Sequence, residues 1–311
     1  MRWEKRGVIF NVSGGESWMA HHAQIPVAHV GVESRVRVYF ASRDASGRSR
    51  IGRFDADAED PAQDQVVDPE PVLDLGRPGA FDDSGTMPSC LVEVGDEQWL
   101  YYIGWTLPPG VRHRTSIGVA VSTDGGSTFT RVQDEPAVGL TESEALGTNS
   151  CFAMRESAGW RLWYTSTDGW SEIRGHQEEI YLIKYAESDD GFRWRRGNIA
   201  CIVPQRATEV NTRPWVVRDG GTYRMWYSYR DIDGFRDDPF HSYRIGYAES
   251  SDGVQWQRLD DEAGIGPSPH GWDSMMISYP SIYEEACGTR HLLYNGNGFG
   301  ATGIGHAVAV D

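Results

Sequence analysis

One sequence motif recurs along this chain at a nearly constant spacing. Residues 243–256 read YRIGYAESSDGVQW, residues 181–194 read YLIKYAESDDGFRW, and a looser copy occupies residues 116–129. The isoleucine shared by these copies and by two shorter echoes occurs at Ile51, Ile117, Ile183, Ile245 and Ile304. The steps of 66, 66, 62 and 59 residues between these positions indicate five copies of one supersecondary unit.

Two further landmarks repeat with the same period. One is an aromatic residue before a polar loop, and the other is a Pro or Ser at the start of an apolar run. The aromatic residues are Phe40, Tyr102, Tyr164, Tyr227 and Tyr294, and the Pro or Ser residues are Pro26, Pro88, Ser150, Pro214 and Pro280. Three independent features therefore agree on five repeats.

Each repeat consists of short alternating runs that are typical of β-strands. The runs are rich in Val, Ile, Tyr and Trp, as at residues 215–217 and 223–227, and turn sequences such as residues 219–221 separate them. No segment keeps a helical period of apolar residues. Four strands in each of five repeats predict an all-β fold, a five-bladed β-propeller with four-stranded antiparallel blades.

The N-terminus is predicted to close the ring of blades. The fifth repeat ends after its third strand, whereas residues 3–9 match residues 194–199, the fourth strand of the third blade. The first strand of the chain would then complete the last blade and remove an exposed sheet edge. We expect a single domain over residues 1–311, with blades at 20–62, 82–134, 144–204, 208–260 and 273–311, the last completed by strand 2–10.

Charge and cysteine content limit the partners and the compartment. A formal net charge of −16 argues against nucleic acid or an anionic membrane as a partner. No run approaches the length of a membrane span, and residues 1–20 hold no apolar signal core. The four cysteines show no close spacing, so reduced thiols in the core and a cytoplasmic location are expected.

The loops of a propeller divide between two faces. The loops after the second and fourth strands share one face, and here they are long and polar, at residues 107–115, 168–180, 231–241 and 262–273. The turns of the opposite face are short and include Ser-x-Asp-Gly motifs, which resemble Asp-box turns and are assigned an architectural role. Because function on such scaffolds lies in loops held by a rigid frame, we expect the site on the long-loop face.

Carboxylates are predicted to converge on the axis from separate blades. An acidic residue lies five to seven residues before the Pro or Ser landmark in four of the five blades. The leading carboxylates are Asp82 or Asp83 and Glu144, Glu209 is the reserve, and Asp273 is the acid of the fifth blade. Carboxylates that share one dry pocket repel each other and raise at least one pKa, which is how a general acid is made. The alternative is that each of them caps a turn or pairs with an arginine.

A wider set of residues is predicted to bind the ligand. The residues just before each innermost strand point at the axial funnel, and the long loops add histidine, arginine and tryptophan. These candidates are His21, Gln24, Arg43, Trp105, His113, Asn149, Trp170, His176, Arg213, Arg230, Asp273 and Tyr279. His22 is the candidate general base, because a histidine titrates near neutral pH.

The chain resembles the five-bladed glycosidase propellers of glycoside hydrolase families 43, 32, 68, 117 and 130. The resemblance covers essentially the whole chain and rests on the five-fold period, the repeated Y-x-I-G-Y-A-E-S-x-D-G-x-x-W strand pairs, and residues 81–88, FDDSGTMP. It implies a glycosidase-like enzyme that cleaves or rearranges a small glycoside or sugar-containing metabolite through carboxylates of different blades. Trp105 and Trp170 would then stack on the apolar faces of the sugar.

The chain departs from these families in its first blade. Family 43 and its relatives place a catalytic Asp beside the first innermost strand, whereas residues 21–26 of this chain read HHAQIP. The residues that match the acids of the other blades are Asp82 or Asp83, Glu142 or Glu144, and Glu209 as a reserve general acid. Either a histidine replaces the missing base, or the reaction is not ordinary hydrolysis.

Three other functions remain open. A phosphorylase of the family 130 kind needs no protein base, because phosphate attacks, and Arg43, Arg213 and Arg230 could hold that phosphate. A lyase or natural-product tailoring enzyme could use the funnel histidines, perhaps around a divalent metal. No pair of histidines has a strong metal spacing, so no cofactor is predicted. The last alternative is a saccharide-binding propeller without turnover.

Overall fold

The computed structural model describes residues 1–12, 14, 16–31 and 34–310 as five four-stranded antiparallel blades. The strands of the last blade include β1 (Arg2–Phe10), the first strand of the chain. Blade I contains β2 (His21–Val30), β3 (Arg35–Arg43), β4 (Ser49–Asp57) and β5 (Val66–Val67), and blade II contains β6 (Gly85–Val94), β7 (Glu97–Thr106), β8 (Arg114–Ser122) and β9 (Thr130–Arg131).

The other three blades follow in the same order. Blade III contains β10 (Thr148–Glu156), β11 (Gly159–Ile173), β12 (His176–Ser188) and β13 (Arg195–Ala200). Blade IV contains β14 (Glu209–Asp219), β15 (Thr222–Asp231), β16 (Arg244–Ser250) and β17 (Gln257–Arg258), and blade V contains β18 (Ser278–Glu284), β19 (Arg290–Asn295) and β20 (Ile304–Val310). The sequence segment predicted for blade I, residues 20–62, stops short of β5, which is the outermost strand of that blade.

The N-terminal strand completes blade V, which confirms the predicted closure. β1 pairs antiparallel with β20, from Arg2 opposite Val310 to Phe10 opposite Ile304. Trp3 of this strand is buried, and its backbone N–H donates to the Gly264 carbonyl at 3.1 Å. The first strand is therefore an integral part of the fold, because without it β20 would become an exposed sheet edge.

The repeated Ile-Gly pair has a packing role in the third strand of the blades. Each repeated isoleucine is buried, with at most 3% of its surface exposed. The following glycine lies against an aromatic ring, because a Cβ on Gly118 would collide with the ring of Tyr102, and one on Gly246 with that of Tyr227. Blade III has Lys184 at this position, and its Nζ lies 3.4 Å from Glu144. The repeat is therefore a requirement of the blade interior.

The Ser-x-Asp-Gly turns are architectural, as predicted. In blade II the Oδ1 of Asp124 accepts hydrogen bonds from the backbone N–H groups of Ser127 and Thr128, at 2.9 and 3.0 Å. The same pattern holds Asp190 and Asp252 in the turns of blades III and IV. Bonds of this kind are those of an Asx turn, in which a side chain replaces a backbone acceptor.

These turns also connect neighbouring blades. Tyr39 of blade I donates its hydroxyl to the Gly126 carbonyl of blade II at 3.0 Å, and Tyr101 of blade II donates to the Gly191 carbonyl of blade III at 2.8 Å. Trp163 of blade III donates its indole N–H to the Gly253 carbonyl of blade IV at 2.7 Å. Each turn glycine thus receives a hydrogen bond from the second strand of the preceding blade.

Helical structure in the described ranges is restricted to two short 3-10 turns, Asp260–Glu262 and Asn297–Gly300. No helix there is long and apolar enough to cross a membrane.

Two stacked histidines lie inside blade V. The rings of His291 and His306 are 5.1 Å apart and nearly parallel, and His291 Nδ1 lies 2.8 Å from His306 Nε2. Glu285 Oε1 contacts His291 Nε2 at 2.5 Å. Burial and, to a smaller extent, the neighbouring His291 lower the pKa of His306 to about 3. His306 is therefore neutral in the folded protein well below neutral pH.

Deletion of residues 1–10 should prevent folding rather than trim the protein. The deletion removes the fourth strand of blade V and the buried Trp3, whose side chain packs edge-on against Trp226 at 6.0 Å. Far-UV circular dichroism and thermal denaturation of the purified variant measure this loss. The substitution Arg6→Ala, at an exposed position of the same strand, should leave the melting temperature within a few degrees of the wild type.

Lowering the pH from 7.5 to 5 should destabilise the protein, because the unfolded chain binds a proton at His306 that the folded chain does not. With a folded pKa of about 3 and an unfolded pKa of about 6.5, stability is full above pH 6.5 and declines progressively below it. The expected loss at pH 5 is about 2 kcal/mol in the free energy of unfolding, measured by urea denaturation. His306→Asn should reduce this pH dependence, and an unchanged dependence would assign it to other groups.

Candidate functional site

Five residues at equivalent places in the five blades line one axial cavity. Each lies immediately before the Pro or Ser landmark of its innermost strand, and we call them the axial ring: Ile25, Met87, Asn149, Arg213 and Tyr279. The pairing of the innermost strand with its neighbour shifts register at or next to this place in every blade. A bulge of this kind re-aims a side chain.

Three members of the axial ring have a strained backbone. Ile25, Arg213 and Tyr279 have φ angles of 53°, 56° and 60°, a region that residues other than glycine rarely adopt. Each precedes a proline, and each sits where the strand pairing is interrupted. Such strain is maintained only where the surrounding structure imposes it, and it clusters at functional sites.

Arg213 connects four blades at the axis. Its side chain is 1% exposed and donates to the Ser89 carbonyl of blade II and to the Pro26 carbonyl of blade I, the latter at 3.1 Å. Its backbone N–H donates to Ser150 Oγ of blade III at 3.0 Å. Burial lowers the pKa of Arg213 to about 10, so it stays charged at neutral pH. Arg213 is thus held by backbone carbonyls, which corrects the expectation that it is free to clamp a ligand.

The cavity above this ring carries more positive than negative charge. Its volume is about 290 Å³, near the lower end of small-molecule sites, which span roughly 300–1,000 Å³. The charged residues that line it are Arg43, Arg112, Arg213, Arg230, Arg236, Glu178 and Glu179. Five guanidinium groups against two carboxylates leave an electropositive cavity in a strongly acidic protein.

Both lining carboxylates come from an extended hairpin of blade III. β11 and β12 are 15 and 13 residues long, whereas β7 and β8 of blade II have 10 and 9. Ile173 pairs with His176 across a two-residue turn in which Arg174 and Gly175 both have positive φ, as a type I′ turn requires. Residues 168–180, predicted as a polar loop, are therefore mostly sheet.

Glu178 is surrounded by guanidinium groups. It is buried, and Arg236 donates two hydrogen bonds to its carboxylate, at 2.8 and 2.9 Å. Arg112 lies 3.9 Å and Arg230 4.0 Å from its Oε2. One carboxylate thus lies within 4.0 Å of three guanidinium groups and organises the cavity wall.

Glu179 has different neighbours. Its Oε2 lies 3.1 Å from His113 Nε2, and its Oε1 accepts a hydrogen bond from Thr167 Oγ1 at 3.3 Å. The ring of His113 packs edge-on against Trp170, with centroids 5.5 Å apart. Among the described residues no arginine lies within ion-pair distance of Glu179. Among the described residues, Glu179 is therefore the lining carboxylate without an arginine partner, and His113 is its ionisable neighbour.

Arg43 and Gln24 form the blade I side of the cavity. Gln24 is buried, its Nε2 donates to the Phe299 carbonyl, and its Oε1 accepts from Arg43 Nε at 2.9 Å. Burial lowers the pKa of Arg43, with a further decrease from the nearby charge of Arg112. No described carboxylate lies within 4 Å of Arg43.

Arg230 forms hydrogen bonds within the protein and stacks on an aromatic ring. Its Nε donates to the Tyr181 hydroxyl at 3.1 Å, its Nη1 donates to the Asp231 carbonyl at 2.9 Å, and its guanidinium stacks on Phe235 at 3.6 Å. The hydroxyls of Tyr181 and Tyr243 hydrogen-bond each other. This corrects the expectation that Arg230 is free to clamp a ligand, because it instead orders an aromatic wall.

The predicted catalytic carboxylates of blades II and III lie inside their blades. Asp82 Oδ2 accepts from the Tyr102 hydroxyl at 2.9 Å and from Arg131 Nε at 2.7 Å. Glu144 accepts from the Tyr164 hydroxyl at 2.9 Å and from Arg196 Nη1 at 2.8 Å. Neither lines the cavity.

The same arrangement occupies blades IV and V. Tyr227 donates to Asp260 at 2.6 Å, and Arg258 binds both Asp260 and Glu209. In blade V, Asp273 accepts from the Tyr294 hydroxyl at 3.1 Å and from Lys5 at 2.5 Å. Asp83 instead caps a turn, accepting from the Gly79 N–H at 3.0 Å and from Ser84 Oγ at 2.8 Å. The expectation that these carboxylates meet on the axis is thus corrected.

Blade I lacks the acid because it lacks the tyrosine hydroxyl. The equivalent aromatic residue is Phe40, which is fully buried, and Trp18 packs against Gly52 where the other blades place the tyrosine–acid pair. Blade I therefore has no tyrosine-paired carboxylate of the kind found in the other four blades.

The remaining predicted residues divide between the cavity and its surroundings. Those that line the cavity are Gln24, Arg43, His113, Asn149, Arg213, Arg230 and Tyr279. Those that do not are His21, His22, Trp105, Trp170, His176 and Asp273. Trp105 donates to Ser49 Oγ at 2.8 Å between blades I and II, and His176 is exposed at the start of β12.

His22 lies beside the cavity rather than in its wall. Its Nδ1 is 2.6 Å from His21 Nδ1, and burial together with the charge of Arg43 lowers its pKa to about 4. Within the described part of the chain, no group of three or more His, Cys, Asp and Glu side chains is arranged to hold a metal ion.

Sequence reasoning missed several lining residues of the long-loop face. These are Arg112, Glu178, Glu179, Tyr181, Phe235, Arg236, Tyr243 and Phe299. Residues 176–183 read HQEEIYLI, four polar residues followed by four apolar ones, so no alternation marked the part of β12 that carries Glu178 and Glu179 as a strand.

Solved structures of similar fold are glycosidases. A glycoside hydrolase matches with a TM-score of 0.76 at 16% identity, covering 99% of this chain and 92% of its own. A thermostable family-43 glycoside hydrolase matches with a TM-score of 0.69 at 16% identity, covering 97% and 92%. The Bombyx mori GH32 β-fructofuranosidase, solved with sucrose, matches at 0.63 and 13%, covering 93% and 61%. The chain has the glycosidase-like five-bladed propeller fold.

Sequence relatives define the family more narrowly. The chain is 37% identical over 309 residues to the uncharacterized protein Rv1502 of Mycobacterium tuberculosis, covering 99% of each chain. The uncharacterized protein MT1551 from another strain of that species matches to the same extent. The chain belongs to the family of these proteins. No family model matches it.

Glu144→Gln should destabilise the protein without changing ligand affinity. The substitution leaves the largely buried Arg196 without its carboxylate, while Lys184 keeps its ion pair with Asp168 at 2.7 Å. Breaking a buried ion pair in this way lowers the free energy of unfolding by about 3 kcal/mol. Urea denaturation measures the change. Glu142→Gln, at an exposed position two residues away, is the matched control and should be neutral. A Glu144→Gln protein of normal stability that had lost turnover would return Glu144 to the catalytic candidates.

Proposed function

We propose that this protein is a glycosidase-like enzyme that cleaves a glycosidic bond of a small saccharide in the axial cavity. The observation that carries this proposal is Glu179, a carboxylate of the cavity wall that contacts His113 at 3.1 Å and no described arginine. Breaking a glycosidic bond requires a proton on the leaving oxygen. The Glu179–His113 pair can hold that proton and deliver it.

The cavity size supports a small saccharide as the ligand. A volume of about 290 Å³ accommodates one or two sugar rings rather than a polymer. Buried aromatic side chains form one wall, namely Tyr181, Phe235 and Tyr243. Such rings offer apolar surface to the C–H groups of a sugar and hydroxyls to its polar groups.

The carboxylates that line the cavity limit which group can attack the glycosidic bond. Hydrolysis with inversion or retention uses two carboxylates that flank the bond. Here Glu178 is held by Arg236 and approached by two further arginines, so Glu179 acts with a nucleophile from solution, either water or phosphate. Dependence of product formation on added inorganic phosphate distinguishes phosphorolysis from hydrolysis.

A saccharide-binding propeller without turnover is the second candidate. The observation in its favour is that the carboxylates at the acid positions of blades II to V are engaged in ion pairs within their blades. In that case the cavity would bind a saccharide unchanged. Product analysis after prolonged incubation separates the two functions.

Glu179→Gln should lower kcat by about a hundredfold or more and change KM by less than threefold, because the amide keeps the contacts but loses the acidic proton. Release of sugar from a panel of small disaccharides and nitrophenyl glycosides, with and without phosphate, provides the assay. Glu172→Gln, exposed on the same hairpin, is the matched control and should retain full activity. Full activity in Glu179→Gln would exclude the assigned role.

A further inference from the structure

We propose that the cavity contains an oxyanion subsite at Arg43 and Arg112, so that the bound saccharide carries a phosphate or carboxylate group. This inference rests on the proposed function, because it names the substrate class of the same cavity. It differs from that function in depending on blade I and the 107–115 segment rather than on Glu179.

Arg43 is oriented but not neutralised. Its Nε is held by Gln24 Oε1 at 2.9 Å, and Gln24 is itself fixed by the Phe299 carbonyl. In the described residues the two Nη groups of Arg43 have no hydrogen-bond partner and no carboxylate within 4 Å. Arg43 lines the cavity, and its two Nη groups carry four N–H donors that suit the geometry of an oxyanion.

Arg230 provides an internal comparison, because it occupies the equivalent place in blade IV. Both arginines lie three residues after the aromatic landmark of their second strand, after Phe40 in blade I and Tyr227 in blade IV. Arg230 donates to Tyr181 and to the Asp231 carbonyl, and Glu178 lies 4.0 Å away. Arg230 thus has hydrogen-bond partners and a nearby carboxylate within the protein, whereas the Nη groups of Arg43 remain available to a ligand.

Arg112 adds a second positive charge on the same side. Its charge lowers the pKa of Arg43, and its side chain is half exposed. Its carboxylate neighbour, Glu178 at 3.9 Å, is already shared with Arg230 and Arg236. Two guanidinium groups that repel each other become favourable neighbours when an anion binds between them.

The positive charge of the cavity contrasts with the negative net charge of the whole protein. A chain with a formal net charge of −16 repels anions from most of its surface. An electropositive cavity within such a surface selects those anions that fit it. An uncharged sugar can accept hydrogen bonds from Arg43 but leaves its charge uncompensated, whereas an anion compensates the charge of this partly buried cation.

The test measures binding of inorganic phosphate to the full chain by isothermal titration calorimetry, with chloride replacing phosphate at constant ionic strength. Wild-type protein should show saturable binding in the millimolar range. Arg43→Met should weaken it by about tenfold or more, and Arg43→Lys, which keeps the charge but loses the fork, by less. Arg48→Met, an exposed arginine of the adjacent turn paired with Asp44, is the matched control and should bind normally.

Absence of saturable phosphate binding in the wild type, or unchanged binding in a folded Arg43→Met protein, would overturn the subsite. Glucose, glucose 6-phosphate and glucuronate then identify the source of the anion. If glucose 6-phosphate or glucuronate binds more tightly than both phosphate and glucose, the anion belongs to the sugar. If phosphate binds and neither charged sugar binds more tightly, the anion is a free co-substrate.

Glu179→Gln separates this inference from the proposed function. It should lose turnover while it keeps phosphate binding. If neutral glycosides are cleaved equally well by wild type and Arg43→Met, the subsite is wrong and the proposed function stands. If phosphate binds at Arg43 but Glu179→Gln retains turnover, the proposed role of Glu179 is wrong and the subsite stands.

Discussion

Four of the five blades depend on a hydrogen bond between a buried tyrosine hydroxyl and a carboxylate. A hydroxyl inside a blade needs a hydrogen-bond partner, and a carboxylate from the segment before the innermost strand or just after the outermost strand supplies it. That buried carboxylate in turn needs a cation, which comes from the outermost strand, as with Arg131, Arg196, Arg258 and Lys5. Each cluster ties the inner edge of a blade to its outer edge. Blade I, with Phe40 in place of the tyrosine, has neither the acid nor the cation at these positions.

The charges of the protein therefore fall into two groups with different roles. Those inside the blades are compensated by fixed partners and stabilise the fold once it has formed. Those around the axial cavity are only partly compensated, with Glu178 serving three arginines and Arg43 lacking a carboxylate in the described structure. Uncompensated charge in a concave site is destabilising for the empty protein. It is the arrangement expected where a charged ligand completes the site.

The sequence predicted the fold well and the site only in part, for a physical reason. Strand number, blade number and closure by residues 2–10 depend on local alternation and on a period that one sequence displays. Asn149, Arg213 and Tyr279 were also predicted to point at the axis, and they line the cavity. Whether a carboxylate such as Glu144 is free or paired depends on Arg196, 52 residues away, a distance that no local pattern reports. Glu179 was missed because a strand continues into what composition indicated as a loop.

The axial ring has a consequence for how proteins of this architecture diverge. Each of its five members comes from a different copy of the repeat, at or near an interruption of the strand pairing. Arg213 also holds three other blades through hydrogen bonds, so its replacement would disturb more than the cavity. The other four positions can vary one at a time, each altering a fifth of the ring. Ligand preference can then change by single substitutions in a scaffold whose folding information is stored elsewhere.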